Sequence, residues 1–139
     1  AGTHDGADVP AALADADAWI TGQRREQSVT RSDLALMKPT ALLVNTSRAE
    51  LLEENALVSG LNRGRPGMAA VDVFESEPIL QGHALLRMEN CICTPHLGYV
   101  ERDNYEQYFG QAFQNILDVL AGKHDAIVNA AALTPSLMR

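Results

Sequence analysis

Ionisable residues stand where three apolar runs of the chain end: Arg48, the pair Asp72 and Glu77, and His96. Arginine presents a planar fork of donors that matches a carboxylate bidentately, so Arg48 suits an acidic or oxo-acid ligand. Histidine is the side chain that exchanges a proton near neutral pH, and a carboxylate such as Glu77 beside it would favour the imidazolium. An imidazolium that donates to a carbonyl oxygen while hydride reaches the carbon completes a reduction, provided a cofactor delivers the hydride. Each residue also has a plainer reading. Arg48 can cap or pair at a helix start, Pro95-His96 can be an ordinary turn, and Glu75 and Glu77 before Pro78 can lie in a solvated loop. His4, His83 and His124 have no strand end or carboxylate to recommend them and read as surface residues.

The elements that must position these residues follow from periodicity. Residues 41–45 form a continuous apolar run ended by polar residues, the pattern of a strand buried on both faces of a parallel sheet. Glu53, Glu54, Leu57, Val58 and Leu61 then recur at helical spacing, with acidic residues in the first turn and Gly64 beyond the last. Two more apolar runs, 67–73 and 90–93, carry Asp72 and Thr94-Pro95-His96 at their ends. All three runs therefore put chemically capable residues at their carboxyl ends, which is the ligand-binding edge of an open α/β sheet. Upstream, Thr30 to Asp33 before Leu34, Ala35, Leu36 and Met37 predicts a capped helical turn that Lys38-Pro39 stops. The Ala-rich stretch 11–18 predicts a short helix, and Trp19-Ile20 a strand that soon ends. Tyr105, Phe109, Phe113, Ile116, Leu117 and Leu120 predict a long amphipathic helix over 101–121, closed by Gly122.

Composition narrows the partners. A net charge of −7 and a pI near 4.9 would repel a phosphate backbone, and the 11 Lys and Arg residues form no basic stripe, which argues against nucleic acid. No apolar run approaches the ~20 residues that cross a bilayer, so no membrane partner and a cytoplasmic location are expected. Cys91 and Cys93 stand two apart in an apolar run, share one face of a strand, and read as small buried residues in a reducing compartment. A metal site would need further ligands at suitable spacing, and none is expected.

The successive stretches Val44-Asn45-Thr46-Ser47-Arg48, Ala70-Val71-Asp72-Val73-Phe74-Glu75-Ser76-Glu77-Pro78 and Thr94-Pro95-His96-Leu97-Gly98-Tyr99-Val100 resemble, in order and spacing, the signatures of the D-isomer-specific 2-hydroxyacid dehydrogenases. The resemblance covers roughly residues 34–129. It implies an α/β fold: the C-terminal half of a Rossmann-like doubly wound parallel sheet, ending in the long amphipathic helix. Residues 34–122 would be the NAD-binding half-domain with the catalytic residues, 1–33 a poorly matched segment that can be a remnant of the cofactor domain, and 123–139 a C-terminal tail. It further implies Arg48 as substrate anchor, His96 as acid/base and Glu77 as the partner that keeps His96 charged. Asn45, Thr46, Ser47, Arg48, Asp72, His96 and Gly98 would lie at the cofactor, NAD or NADP. The substrate would be a small 2-oxo acid such as glyoxylate, hydroxypyruvate or pyruvate, and the full-length protein a homodimer. Formate dehydrogenases resemble this group but carry an amide where Glu77 stands, so the carboxylate favours 2-oxo acid reduction.

The departures are as informative. Ala49 replaces a glycine common after the arginine, and Asn129 is followed by Ala130 where proline is common. No G-x-G-x-x-G follows a strand, and the acidic residue about twenty positions on that would bind the ribose is missing. A strand and loop expected before Leu34 match poorly over 16–27. These gaps are expected of a piece of a longer enzyme rather than a natural remnant, because half a doubly wound sheet leaves edges and apolar faces uncovered. A catalytically incompetent fragment, or a dinucleotide-sensing interaction protein of the same fold, is the alternative.

Overall fold

The computed structural model describes residues 9–21 and 28–128, in two compact units, Ala1–Gly98 and Tyr99–Arg139. The first unit is built on four parallel strands in chain order: β1 (Ala18–Thr21), β2 (Leu42–Asn45), β3 (Met68–Val71) and β4 (Cys91–Cys93). Their register aligns Thr21 with Asn45, Asn45 with Val71, and Val71 with Cys93. The carboxyl ends thus form one row, and Thr46, Asp72 and Thr94 leave the sheet side by side. β1 falls inside the stretch 1–33 expected to match the family pattern poorly, and it is hydrogen-bonded into the sheet as a regular parallel strand.

Helices α1 (Val9–Asp15), α2 (Arg31–Leu36) and α3 (Ala56–Asn62) supply Leu13, Leu34, Leu57 and Leu61 to one core with Trp19, Leu43, Ala69 and Val71 from the strands. Burying each such Leu stabilises the fold by ~1.5–3 kcal/mol. Alternate residues point the other way, and there Ile20, Met68 and Ile92 are exposed while Leu42 and Val44 are half-buried. The expectation that 41–45 is buried on both faces is thereby corrected: among the described residues the helices pack on one face only.

Local chemistry sets the element ends. Thr30 caps α2 by accepting from the Asp33 N–H, while the Asp33 carboxylate accepts from the Thr30 N–H at 2.8 Å, a complete capping box. Gly64, at φ +72°, takes the left-handed position past the end of α3. Two boundaries differ from expectation. Residues 16–18 are not helical, because α1 stops at Asp15 and Ala18 already pairs with Leu42. Glu53 and Glu54 precede α3 and do not form its first turn. A short 3₁₀ turn (Ala49–Leu51) intervenes, Leu51 and Glu53 bond through their backbones to Val29, and Asn55 enters the left-handed region at φ 59° just before α3. Glu53 instead accepts from the Arg31 N–H at 2.9 Å.

The second unit contains α4 (Arg102–Leu120), one residue inside the expected helix at each end, with Gly122 at φ +76° beyond it. Its apolar stripe, from Tyr105 to Leu120, is exposed, and Tyr105 stacks on Phe109 at 5.8 Å. Among the described residues no helix is long and apolar enough to cross a membrane.

Gly67 leads into β3 where the backbone passes Pro39. A Cβ there would lie 1.8 Å from the Pro39 carbonyl oxygen, so neither strand entry can stay where it is. Gly67→Ala should therefore cost on the order of 3 kcal/mol or more, read as a lowered midpoint in urea unfolding, because backbone cannot step aside as a side chain can.

Candidate active site

The loop leaving β4 is folded by one carboxylate. Asp72, buried at 4% exposure at the end of β3, accepts from the Thr94 hydroxyl, the Leu97 N–H at 2.7 Å and the Gly98 N–H at 2.7 Å. Burial alone would raise its carboxyl pKa. The three hydrogen bonds and the nearby His96 outweigh that, and hold it below the ordinary carboxylate value. A Cβ on Gly98 would come within 3.2 Å of an Asp72 carboxylate oxygen, a tight approach that favours glycine here. Within the loop so gathered His96 takes φ 53°, a left-handed conformation that costs a side-chain-bearing residue energy and that the flanking bonds enforce.

His96 then meets the carboxylate expected to pair with it: its Nδ1 lies 2.7 Å from Glu77 Oε2. The other Glu77 oxygen accepts from the Phe74 N–H at 2.9 Å, which fixes the carboxylate's orientation. The His96 bond first, and the Phe74 bond second, hold the Glu77 carboxyl below its ordinary range. Both side chains remain over one-third exposed, so the pair is open to a ligand, with His96 Nε2 free of the Glu77 bond.

Arg48 belongs to the turn after β2. Its guanidinium donates to the Ser47 carbonyl at 2.7 Å, and among the described residues it forms no ion pair with Glu77. The exposed residue is placed by Asn45, whose side chain donates to the Arg48 carbonyl at 2.9 Å and accepts from Ser47 N–H and from the Thr21 hydroxyl at 2.7 Å. The polar atoms of Asn45 are thus committed to the protein, and Ser47 is buried beside it; Thr46 is exposed. Thr21, Thr94 and the Phe74 N–H are the site-building groups that sequence reasoning misses. Only their position at or just past the strand ends signals them.

The structure also corrects two other histidines. His83 does have a carboxylate, with Nε2 3.8 Å from Glu75, and it is half-buried edge-on to Phe74, because a 3₁₀ turn (Ala84–Arg87) donates the Leu85 N–H to its Nδ1. His124 is half-buried too; His4 lies outside the described residues. A cavity of about 240 Å³ lies beside α3, lined by Leu57, Val58, Phe74, Leu80 and His83, and neither Arg48, Glu77 nor His96 lines it. The Glu77–His96 pair thus lies outside that cavity, with both side chains over one-third exposed.

For a dinucleotide, that edge fits one end only. A carboxylate offers about four lone-pair sites, so three bonds leave Asp72 one acceptor position, and Thr46 adds an exposed hydroxyl, a combination suited to a carboxamide. A pyrophosphate would need a glycine-rich turn, and no G-x-G-x-x-G occurs in the sequence.

Parallel strands in chain order with an acid–base pair at their carboxyl edge define a Rossmann-like, nucleotide-binding half-sheet. Residues 18–98 match the family model described as D-isomer specific 2-hydroxyacid dehydrogenase, NAD binding domain, and the chain belongs to that family. It is 37% identical over 89 residues to glyoxylate/hydroxypyruvate reductase B of Shigella boydii, covering 64% of this chain and 28% of that protein. A Ralstonia solanacearum structure described as a D-3-phosphoglycerate dehydrogenase oxidoreductase superposes with a TM-score of 0.86 at 60% identity, over 97% of this chain and 40% of that one. A family member from Xanthobacter autotrophicus, crystallised with NADPH, superposes at 0.66 with 28% identity, covering 84% of this chain and 49% of its own. The chain thus spans well under half the length of the Shigella and Ralstonia proteins.

Asp72→Asn replaces an acceptor oxygen by an NH₂ group that faces N–H donors. The loop should loosen by about 1–3 kcal/mol, seen as faster amide hydrogen exchange at Leu97 and Gly98 with the β1–β2 ladder unchanged. In the wild type the depressed carboxyl makes this contribution complete above the ordinary value near 3.8, and it is lost as pH falls through the lower folded value. Protection of the two amides that persists well below that range would contradict the assignment.

Proposed function

We propose that the protein containing this chain reduces small 2-oxo acids of the glyoxylate and hydroxypyruvate class to 2-hydroxyacids, using NADH or NADPH. The observation that carries the reading is the 2.7 Å bond between Glu77 and His96 at the carboxyl edge of the sheet. The naming of the Shigella relative as a glyoxylate/hydroxypyruvate reductase supports the substrate class.

In this reading the exposed guanidinium of Arg48 turns from the Ser47 carbonyl to the carboxylate of the substrate and orients its carbonyl. His96 Nε2 donates a proton to the carbonyl oxygen as it becomes an alkoxide, and in the oxidative direction takes it back. Glu77 holds Nδ1 by its hydrogen bond, which leaves Nε2 as the nitrogen that faces the substrate and keeps the imidazolium compensated. Thr46 and the remaining acceptor position of Asp72 would hold the nicotinamide carboxamide, with the Gly98 turn shaping the floor beneath it. The bound cofactor supplies the hydride to the carbonyl carbon. Asn45 and Ser47 act through the turn that presents Thr46 and Arg48.

In the intact enzyme, His96→Ala should lower kcat for hydroxypyruvate by roughly 10²–10⁴-fold, with NADH affinity, followed by fluorescence titration, little changed. Glu77→Gln replaces the carboxylate that accepts from His96 Nδ1 and fixes the ring, so kcat should fall by roughly tenfold or more with NADH affinity little changed. Turnover undiminished in His96→Ala would overturn the proton-donor role. Turnover undiminished in Glu77→Gln would overturn the pairing.

A further inference from the structure

The two cysteines of the chain play no part in the site above, yet their placement is specific. Cys91 and Cys93 alternate along β4 on the same face, both half-buried and both free, with their sulfurs 3.8 Å apart. Among the described residues β4 is the edge strand of the sheet, paired on one side by β3.

We propose that Cys91 and Cys93 form a two-thiol site for thiophilic trivalent arsenicals carrying one organic substituent. With sulfur bonds of ~2.3 Å, the length of a soft thiolate bond, two sulfurs on one centre stand about 3.3–3.8 Å apart over pyramidal to tetrahedral angles. The resting sulfurs already sit at that span, so chelation costs little rearrangement. A zinc ion would demand two more ligands, and no group of three or more His, Cys, Asp or Glu suited to a metal occurs among the described residues. An organoarsenic(III) centre has only two valences to fill. The step balances: an arsenic oxide condenses with two S–H groups, the arsenic–oxygen bond is replaced by two arsenic–sulfur bonds, both thiol protons leave as one water, and no oxidation state changes.

Two competing fates are disfavoured by the same geometry. Residues two apart in a strand have Cα atoms about 6.6–6.8 Å apart, the upper limit at which a disulfide closes. Burial first, and the neighbouring Cys93 second, push the Cys91 thiol up to about 12, so Cys91 offers little thiolate at neutral pH for thiol–disulfide exchange or alkylation. Condensation with an arsenic oxide starts from neutral thiols.

Phenylarsine oxide added to the chain tests this directly, because no other cysteine is present to take it up. Intact-mass measurement should find one phenylarsenic per chain with both thiols lost. The adduct should survive a monothiol such as mercaptoethanol and be removed by a dithiol such as dimercaptopropanol. Cys91→Ser and Cys93→Ser should each weaken retention at least tenfold, since either leaves a single sulfur. Should a serine variant fail to fold, the monothiol-against-dithiol comparison on the unsubstituted chain decides alone. Absence of an adduct, reversal by monothiol as readily as by dithiol, or undiminished retention in either variant would overturn the proposal.

Discussion

The buried carboxylate of Asp72 is what the site depends on. It ends β3, and by accepting from Thr94, Leu97 and Gly98 it folds the chain leaving β4 back over the sheet edge. His96 sits inside the span so closed, and its φ of 53° is a conformation that a histidine adopts only where neighbouring bonds impose it. Burying an ionised group is costly unless donors compensate it, and here three converge on Asp72. Asp72 places the backbone that carries His96, and Glu77 holds its ring.

A second, similar junction lies one strand over. Asn45 occupies the last position of β2, bonds to Thr21 at the end of β1, and holds the turn that carries Arg48. The aligned register converts these separate turns into one surface: the ends of β1, β2, β3 and β4 fall in a single row, so a residue one step beyond each strand is automatically near its neighbours. Positioning in this fold is a property of the parallel ladder first and of individual side chains second. Glu77 and His96 can then be borne on separate loops and still meet at 2.7 Å.

Much of this arrangement is legible in the amino-acid sequence alone. A parallel strand that ends in polar residues announces both the strand and its functional edge, which is why the runs ending at Asn45, Asp72 and Cys93 can be placed and why Glu77 and His96 can be paired. What escapes is the work done by side chains across strands. Thr21 bonds to Asn45 twenty-four positions away, and Asp72 gathers amides twenty-five and twenty-six positions on; neither follows without the register. Resemblance assigns Asn45 and Asp72 to the cofactor, whereas their polar atoms chiefly hold protein. The helical spacing around Glu53 misleads because its N–H is taken by the Val29 carbonyl, a tertiary partner that no local pattern encodes. His83 escapes for the same reason, its partner Glu75 being brought to it by the loop after β3.

The central claim is a histidine whose Nδ1 proton is held by Glu77, leaving Nε2 for the substrate. Long-range ¹⁵N–¹H correlation spectra of the histidine rings, with His96 identified by its loss in His96→Gln, measure this directly. Near neutral pH His96 should carry a proton on Nδ1, deshielded by its short bond to the carboxylate, and this feature should disappear in Glu77→Gln. A His96 ring whose Nδ1 is bare, with the proton on Nε2 alone, would contradict the claim.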